Sequence, residues 1–563
     1  MKKKFCSLPG VILGFLMIMN CAQNAAIGQS LPDSTSLKVD RLFARWNSPN
    51  TPGCVVGIIQ GDKIVYGKGF GLASMEDSTL NTPSSVYYMC SVSKQFAGYA
   101  IALLANEGKI NLDDDIHTYL PWMSDFGGKK IIVRNLLSHT SGIRDDIGLS
   151  QYFGLGINGM LTQDLAINIL KRQHSLNFTP GEKFSYSNSN YVLLSEIVKK
   201  VSGKTFRKYV DSAIFRPLGM TSSAFIDEHS EIIRNRAYSY NLDQGVYHNA
   251  NHNVYTMGDG GLFTNINDMA KWVSNFYQPK AGTQKDIDLM TTSGKLNDGK
   301  LITYAMGIDV VQHRGYKRLI HNGGLAGYRT VIAVYPELKT GFLVFGNGGD
   351  RDVYNKINEL AELLIPDRSV KERQPVVQND PVIVLKDSMD LKKWAGNYIA
   401  KNGYSVAISY KAGKLYAAGS SELAAEAPGL FHMTARTSVK YKFSIDAKTK
   451  QVRASLSSPA LSKSIDMSRT QEVSFSISML QAYAGNYVSE ELECVFKIEV
   501  KENSLWISGK YNAPAKVRFA GLEHMFTESD LLSHLLIRRD AKNKITGFEL
   551  SSGDTSGLVF RKI

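Results

Sequence analysis

Cysteine is scarce in this sequence: its 563 residues include five, at Cys6, Cys21, Cys54, Cys90 and Cys494. Two of them, Cys6 and Cys21, lie among the first 28 residues, in a predicted signal region, which leaves three, an odd number. Secreted domains held together by disulfides carry many cysteines, in pairs. The composition therefore excludes a disulfide framework and predicts that the remaining cysteines are small buried apolar side chains.

Three motifs of other hydrolytic or redox chemistry are also missing, namely G-x-S-x-G, H-E-x-x-H and C-x-x-C. Their absence disfavours an α/β-hydrolase, a zinc hydrolase and a dithiol redox protein. The net charge is +13, but no basic run alternates with aromatic residues as in nucleic-acid binding. We expect no metal, no cofactor and no nucleic acid, and the expected partner is a small-molecule or peptide substrate.

Apolar runs long enough to span a membrane are absent beyond the N-terminus. At the N-terminus, three lysines follow Met1, an apolar stretch covers residues 11–19, and small residues come next. This is the pattern of a secretory signal peptide. We predict a signal peptide over residues 1–28, a mature chain without a transmembrane segment, and export to the periplasm or the medium. A lipid anchor at Cys21 is the alternative.

The chain is longer than one typical domain. Residues 29–364 mix helical stretches with short β-type runs and form the first predicted domain. Residues 365–386 combine prolines with charged and polar residues, which predicts an extended linker. After the linker, short alternating segments predict two β repeats, at 387–472 and 473–563.

The C-terminal region contains an internal repeat with an offset of about ninety residues. The sequence WAGNY at 394–398 returns as YAGNY at 483–487, and a His-Met pair and an Asp-Ala-Lys segment follow in the same order in both units. Each unit is therefore predicted to be a small antiparallel β domain, a barrel with a turn at its Asp-Ala-Lys segment.

The first motif with chemical meaning is Ser91-x-x-Lys94. It precedes a segment at 95–107 with apolar residues at helical spacing, and Gly108 can end that helix. Ser91 is thus predicted at a helix N-terminus, with Lys94 one turn along on the same face. A serine hydroxyl becomes a good nucleophile when a nearby base takes its proton, and a desolvated lysine can be that base. The bare pattern is common by chance, so its meaning depends on its companions.

A second motif contains Tyr186 and Asn188, between a Thr-Pro-Gly turn and a helical run over 191–201. The Tyr186 hydroxyl could shuttle protons between the serine and the leaving group, with Lys94 stabilising the phenolate. Asn188 could hydrogen-bond the substrate amide or hold Lys94. The alternative is an aromatic side chain and an amide that cap a helix.

A third motif, HNGG, contains His321, Gly323 and Gly324 between two β-type runs. Adjacent glycines would let a substrate backbone approach an edge strand closely, and the amides of Ser91 and Gly324 could form an oxyanion hole. The alternative is a hairpin turn between two strands, with a histidine at the surface.

The three motifs follow one another as S-x-x-K, then Y-x-N, then a basic residue, His321, two positions before Gly323. In this order they resemble the motifs of the penicillin-recognising serine hydrolases. That family includes class C β-lactamases, D-alanyl-D-alanine carboxypeptidases, D-aminopeptidases and related esterases. The segments LLSHTSG at 136–142 and GGLFT at 260–264 agree with it. The resemblance covers residues 40–364. It implies an α/β sandwich of the β-lactamase/transpeptidase type, an antiparallel sheet flanked by helices beside an all-helical part, followed here by two small antiparallel β domains.

The resemblance implies that Ser91 is the nucleophile, Lys94 its proton partner, Tyr186 the general base and acid, and Asn188 a substrate contact. His321 matches a lysine of class C β-lactamases that can pair with a substrate carboxylate. A histidine is only partly charged near neutral pH, which weakens the β-lactamase interpretation. D-aminopeptidase-like and esterase-like members of the family have a histidine at this position, which this chain resembles. D-aminopeptidases also carry two barrels after the catalytic domain.

The predicted function is that of a secreted serine hydrolase that forms an acyl-enzyme on amides or esters, such as D-amino-acid peptides from peptidoglycan. A β-lactamase or carboxylesterase of the same fold is the alternative within this class. A non-catalytic envelope-binding or penicillin-binding receptor is the alternative outside it. Arg329 is predicted to bind a substrate carboxylate or to be a solvated residue at a strand start. We expect His139 to support a loop by hydrogen bonding and Cys90 to be packed.

Overall fold

The structure is a computed structural model. It describes residues 30–153, 155, 159–250, 252–369, 391–400, 404–417, 421–434, 436–458, 464–470, 473–527, 529, 531–552 and 555–563. The predicted signal peptide, with Cys6 and Cys21, lies outside these residues, as does most of the predicted linker. Within the described ranges, no helix is both long enough and apolar enough to cross a membrane.

The first domain alternates strands and helices along the chain. Its strands are β1 (Cys54–Gln60), β2 (Lys63–Phe70), β3 (Leu72–Ser74), β4 (Thr79–Leu80), β5 (Tyr87–Tyr88), β6 (Leu161–Thr162), β7 (Ala224–Phe225), β8 (Tyr240–Asp243), β9 (Val246–Asn249), β10 (Val254–Tyr255), β11 (Leu262–Thr264), β12 (Asp309–His313), β13 (Tyr316–Leu325), β14 (Tyr328–Tyr335) and β15 (Thr340–Gly346). Its helices are α1 (Asp33–Phe43), α2 (Lys94–Asn106), α3 (Val133–Leu137), α4 (Asp146–Ser150), α5 (Gln163–Lys171), α6 (Asn188–Ser202), α7 (Phe206–Val210), α8 (Arg216–Leu218), α9 (Ile266–Asn275), α10 (Gln284–Met290) and α11 (Val353–Leu364).

The main sheet is antiparallel, with the strand order β12-β13-β14-β15-β1-β2. Strand β1 reads CVVGIIQ, and all but its last residue are buried, because helices cover both faces of the sheet. Residues of α9 pack on one face, and residues of α1 and α11 pack on the other. This is the sandwich that the resemblance implies.

Helix α2 is the centre of the helical part. It reads KQFAGYAIALLAN, and its residues from Lys94 to Leu104 are all buried. Helices α6, α7 and α10 pack around it. Because α2 is enclosed on every side, its first turn holds Ser91 and Lys94 at a fixed place between the helical part and the sheet. Gly108 adopts a φ of +72° just after the helix, as expected for the residue that ends it.

Two closed antiparallel barrels follow, which confirms the predicted pair of small β domains. We call them barrel 1 and barrel 2. Barrel 1 consists of β16 (Gly396–Ala400), β17 (Ser405–Lys411), β18 (Lys414–Ala417), β19 (Ser421–Ala427), β20 (Leu430–Met433), β21 (Arg436–Ile445), β22 (Val452–Ser457) and β23 (Ile465–Arg469). Barrel 2 follows α12 (Ile477–Gln481) and consists of β24 (Gly485–Ser489), β25 (Cys494–Lys501), β26 (Ser504–Gly509), β27 (Ala515–Phe519), β28 (His524–Thr527), β29 (His534–Arg539), β30 (Ile545–Ser552) and β31 (Thr555–Lys562).

The start of the predicted linker lies against the first domain. Arg368 stacks on the ring of Tyr316, with its guanidinium carbon 3.9 Å from the ring centroid, and its Nη2 donates to Glu337 at 2.7 Å. Arg368 is therefore bound to the first domain through its side chain, although residues 366–368 are exposed and form no helix or strand. The remainder of the linker falls outside the described residues.

Candidate active site

Ser91 lies in a tight turn that leads into α2. Residues Cys90–Ser93 form a 3₁₀ turn, and the α-helix begins at Lys94. Cys90 has a φ of +51°, which is rare for a residue with a side chain and strained by about 1–3 kcal/mol. Thr330 of β14 stabilises the turn, because its hydroxyl donates to the Met89 carbonyl at 2.9 Å. The half-buried Ser91 is thus presented on a rigid turn and not on a mobile loop.

Lys94 is fully buried, and its ammonium nitrogen lies at the centre of the site. Nζ lies 3.3 Å from Ser91 Oγ, 2.7 Å from Asn188 Oδ1 and 2.8 Å from the Asp259 carbonyl oxygen. The last two oxygens can only accept hydrogen bonds. A neutral amine would donate one hydrogen to each of them and direct its lone pair at the Ser91 hydroxyl. The geometry therefore suits proton transfer from Ser91 to Lys94.

Asn188 is the first residue of α6, and Asp145 holds it in place. Asp145 Oδ2 accepts from the Asn188 backbone N–H at 2.6 Å and from its side-chain Nδ2 at 2.9 Å. These two bonds fix the side-chain amide so that its oxygen faces Lys94. Of the two roles expected for Asn188, holding Lys94 is the one seen here, and substrate binding remains a prediction.

Tyr186 lies over Lys94, with Nζ 4.9 Å from its ring centroid. Its buried hydroxyl makes no hydrogen bond of good distance and angle to a described residue. Burial raises the pKa of Tyr186, while the adjacent Lys94 and Ser91 lower it. A buried hydroxyl next to Lys94 and Ser91 is well placed to move a proton to or from a substrate.

His139 positions the ring of Tyr186. The two rings are in contact, with centroids 4.2 Å apart and 32° between their planes. His139 Nδ1 accepts from the Ser187 amide at 3.2 Å and lies 3.1 Å from Asn190 Nδ2. Burial and the nearby Lys94 lower the pKa of His139 well below its usual value, so the ring is uncharged. Sequence reasoning predicted a loop support, and the structure adds that this loop carries the tyrosine.

His321 lies on β13 and is buried, which differs from the surface position of the hairpin alternative. Its Nδ1 lies 2.6 Å from the Asn322 carbonyl and must therefore carry the proton, so Nε2 accepts from the Tyr304 hydroxyl at 2.9 Å. Burial, and then Lys94, lower the pKa of His321 to about 3. The expected partial charge at neutral pH is therefore wrong, because burial keeps the His321 ring neutral.

Gly323 and Gly324 lie within a strand and do not form a turn. Strand β13 runs unbroken through both, and the turn falls at Ala326, which has a φ of +51°. A Cβ on Gly323 would lie 2.5 Å from the Met89 carbonyl oxygen and 2.9 Å from Cys90 Cβ. This glycine therefore lets the strand pack against the turn that carries Ser91. Strand β12 pairs with the first half of β13, and no other strand of the described residues pairs with that edge in the second half.

Arg329 is half-buried and is bound to the β13–β14 turn. Its Nη1 donates to the carbonyls of Ala326 at 2.9 Å and Tyr328 at 2.6 Å. It is thus neither a solvated surface residue nor an unbound cation facing a substrate. The half-buried position differs from the solvated surface residue, and the binding of a substrate carboxylate by Arg329 stays a prediction.

Sequence reasoning missed Asp145, Asp259 and Tyr304. The backbone carbonyl of Asp259 accepts a hydrogen bond from Lys94. Burial raises the pKa of the Asp259 carboxyl above its usual value, and Lys94 offsets only part of this increase. The one available signal was position, since Asp145 follows LLSHTSG and Asp259 precedes GGLFT, two segments that match the family.

The fold and the cluster of Ser91, Lys94, Tyr186 and Asn188 define a class, the β-lactamase/transpeptidase-like fold with a serine–lysine–tyrosine cluster. The Beta-lactamase family model matches residues 39–365, more than half of the chain. The chain therefore belongs to the beta-lactamase family.

Several curated proteins are similar to this chain. Penicillin-binding protein 4* of Bacillus subtilis is 25% identical over 380 residues, 63% of this chain and 81% of that protein. D-aminopeptidase of Brucella anthropi is 26% identical over 281 residues, 49% of this chain and 52% of that protein, so the match spans about half of its length. Among solved structures, an octameric penicillin-binding protein homologue from Pyrococcus abyssi has a TM-score of 0.54 and 25% identity, and the match covers 76% of this chain and 99% of that one.

Proposed function

We propose that this protein is an exported serine hydrolase that cleaves amides or esters through an acyl-enzyme on Ser91. One observation carries the proposal: Lys94 Nζ lies 3.3 Å from Ser91 Oγ, and its other two contacts are oxygens that only accept. A lysine in this position takes the serine proton without help from a metal or a cofactor.

In the proposed reaction, Ser91 Oγ bonds to the substrate carbonyl carbon and its proton passes to Lys94. Tyr186 then gives a proton to the leaving amine or alkoxide as the carbon–heteroatom bond breaks, and regains one from Lys94. Water attacks the acyl-enzyme in the second half, with the same groups acting in reverse. The amides of Ser91 and Gly324 are proposed to bind the oxyanion.

The uncharged His321 bears on the substrate class. The position where a lysine would meet a substrate carboxylate carries a neutral ring, and the Nη1 of the nearby Arg329 is bound to turn carbonyls. This favours substrates without a carboxylate at that place. Peptides of D-amino acids, including peptidoglycan fragments, fit, and a relative named D-aminopeptidase supports this choice.

The test compares wild type, Ser91→Ala and the matched control Ser93→Ala on p-nitrophenyl acetate, D-alanine p-nitroanilide and a fluorescent penicillin. Ser93 belongs to the same turn, but its hydroxyl accepts from the Leu262 amide, 3.3 Å away. We expect Ser91→Ala to lose at least about 10³-fold in turnover and Ser93→Ala to retain most of it. Equal turnover by wild type and Ser91→Ala would contradict the proposal. Stable penicillin labelling without turnover would favour a receptor.

Export is proposed from residues 1–28, whose lysines, apolar stretch and small residues form a signal-peptide pattern. Mass spectrometry of the protein from its producing cell would give the mature N-terminus. A start at Gln29 supports cleavage, an acylated Cys21 supports the lipid anchor, and an intact Met1 start contradicts export.

A further inference from the structure

A buried arginine of the first domain, Arg144, contacts barrel 2 through its side chain. The Arg144 side chain is fully buried. Its Nη1 donates to Gln173 at 2.9 Å and to Glu491 at 2.8 Å, its Nη2 donates to Ser175 at 2.7 Å and to the Ser556 carbonyl at 2.9 Å, and its Nε donates to the same carbonyl at 3.1 Å. Every guanidinium donor is therefore used, and Glu491 and Ser556 belong to barrel 2.

The backbone of Arg144 leads directly to the candidate active site. Its carbonyl accepts from the Ser189 hydroxyl at 2.7 Å, and the next residue is Asp145. Asp145 fixes Asn188, and Asn188 contacts Lys94. One chain of short contacts thus runs from Glu491 to Ser91, and barrel 2 is its outer end.

Barrel 2 also contacts the far end of the segment that begins at Arg144. Helix α4 follows Asp145 and leads into a 3₁₀ turn, Gln151–Phe153. The Tyr152 hydroxyl donates to the Leu531 carbonyl at 3.0 Å, and Asn512 Nδ2 donates to the Gln151 carbonyl at 3.2 Å. The segment that carries Asp145 is therefore bound to barrel 2 at both of its ends.

We propose that barrel 2 is a positioning element of the active site and that Glu491 is its positioning residue, acting through Arg144, Asp145 and Asn188 on Lys94. Glu491 touches no reacting atom. It supplies the charge that keeps the buried Arg144 guanidinium in one orientation, and this orientation fixes the backbone from which Asp145 reaches Asn188. The catalytic consequence rests on the proposed function of Ser91 and Lys94.

The test uses the full chain with Glu491→Gln and a matched control, Glu490→Gln. Glu490 is the neighbouring residue of the same type, with a side chain that is 82% exposed. Two quantities are measured, kcat and KM for p-nitrophenyl acetate, and amide hydrogen exchange in peptides covering 143–153 and 185–192. Exchange reports the Asn188 amide, which donates to Asp145, and it requires no turnover.

We expect Glu491→Gln to lower kcat about tenfold with KM unchanged, since a misplacement of about 1 Å can cost on the order of 10²-fold. Exchange should become faster in both peptides, and Glu490→Gln should match wild type. Unchanged exchange, or faster exchange with an unchanged kcat, would overturn the proposal. If wild type itself shows no turnover, the serine hydrolase proposal fails, and exchange alone then decides whether barrel 2 orders the segment.

A destabilised variant would not leave the question open. If Glu491→Gln does not fold, Glu491→Asp keeps the charge on a side chain one methylene shorter and is measured in the same way. A lower melting temperature with wild-type kcat and wild-type exchange at the assay temperature would show a purely structural contact and would overturn the proposal.

Discussion

The two barrels share a topology and differ in what they touch. In each, the tyrosine of the repeated GNY donates to a carbonyl four residues earlier at 2.7 Å, from Tyr398 to Trp394 and from Tyr487 to Tyr483. The apolar core of barrel 1 is a cluster of its own residues, whereas that of barrel 2 is continuous with the helical part of the first domain. A repeat can therefore keep its fold while one copy packs into one unit with the first domain, which we call the catalytic unit after its proposed function.

Part of this difference lies in one loop. The loop between β24 and β25 reads EELE at 490–493, where the first repeat has KNGY at 401–404. Glu491 of this loop meets Arg144, and Leu492 is fully buried. The framework of a barrel is set by alternating apolar positions, so loop residues are free to specialise.

The largest expected effect comes from Arg144→Met. This change removes the positive partner of the mostly buried Glu491 carboxylate. Because an unpaired buried charge is costly, we expect the free energy of unfolding of the catalytic unit to fall by about 3–5 kcal/mol. Denaturant unfolding, monitored by the loss of ester turnover, measures this change in free energy. The comparison variant is Arg453→Met in barrel 1, which breaks an exposed pair with Asp446 and should cost about 1 kcal/mol or less. Equal losses would contradict the difference between the barrels.

A matched pair of core truncations separates the barrels next. Leu415 and Leu505 occupy equivalent positions on β18 and β26, and both are buried. Each change to alanine should cost about 2–5 kcal/mol in the unit that contains it. We expect Leu505→Ala to lower the temperature at which ester turnover is lost and Leu415→Ala to leave that temperature unchanged. A shared decrease would show that barrel 1 is also coupled to the catalytic unit.

A smaller effect concerns acid. Burial, and then His524, lower the pKa of His534 in barrel 2 to about 4. Unfolded histidine has a pKa near 6.5, so the unfolded chain binds more protons between pH 4 and 6.5. Stability is therefore lost as pH falls through this window, by at most about 1.4 kcal/mol per pH unit.

His534→Gln should reduce the drop in melting temperature between pH 7.5 and pH 5. The control is His432→Gln in barrel 1, where the histidine is part-exposed beside Glu426, 3.1 Å away, and should change little. If the melting temperature of the His534 variant falls between pH 7.5 and pH 5 as much as that of wild type, the proposed difference in acid sensitivity between the barrels is contradicted.

Short-range features of this protein follow from its sequence. The spacing of Ser91 and Lys94 places both on one turn, the residues around Gly108 end the helix, and the repeated GNY and Asp-Ala-Lys segments mark two β units. In both barrels the turn aspartate, Asp446 or Asp540, accepts from nearby turn amides as such segments predict.

Long-range features do not follow from it. Arg144 and Glu491 are separated by 347 positions, and no local pattern pairs them. The charge of His321 depends on burial beside Lys94, which spacing cannot reveal. Gly323 appeared suited to a substrate backbone, yet it packs against the turn of Ser91, because a glycine marks close approach without naming the partner.

The most direct test of the account is to trap the acyl group. Wild type and Ser91→Ala are mixed with p-nitrophenyl acetate, quenched in acid before the steady state, digested and analysed by mass spectrometry. The account predicts an acetyl group on Ser91 in wild type and none on that peptide in the variant. Turnover in which the acetyl group appears on another residue, or on none, would contradict an acyl-enzyme at Ser91.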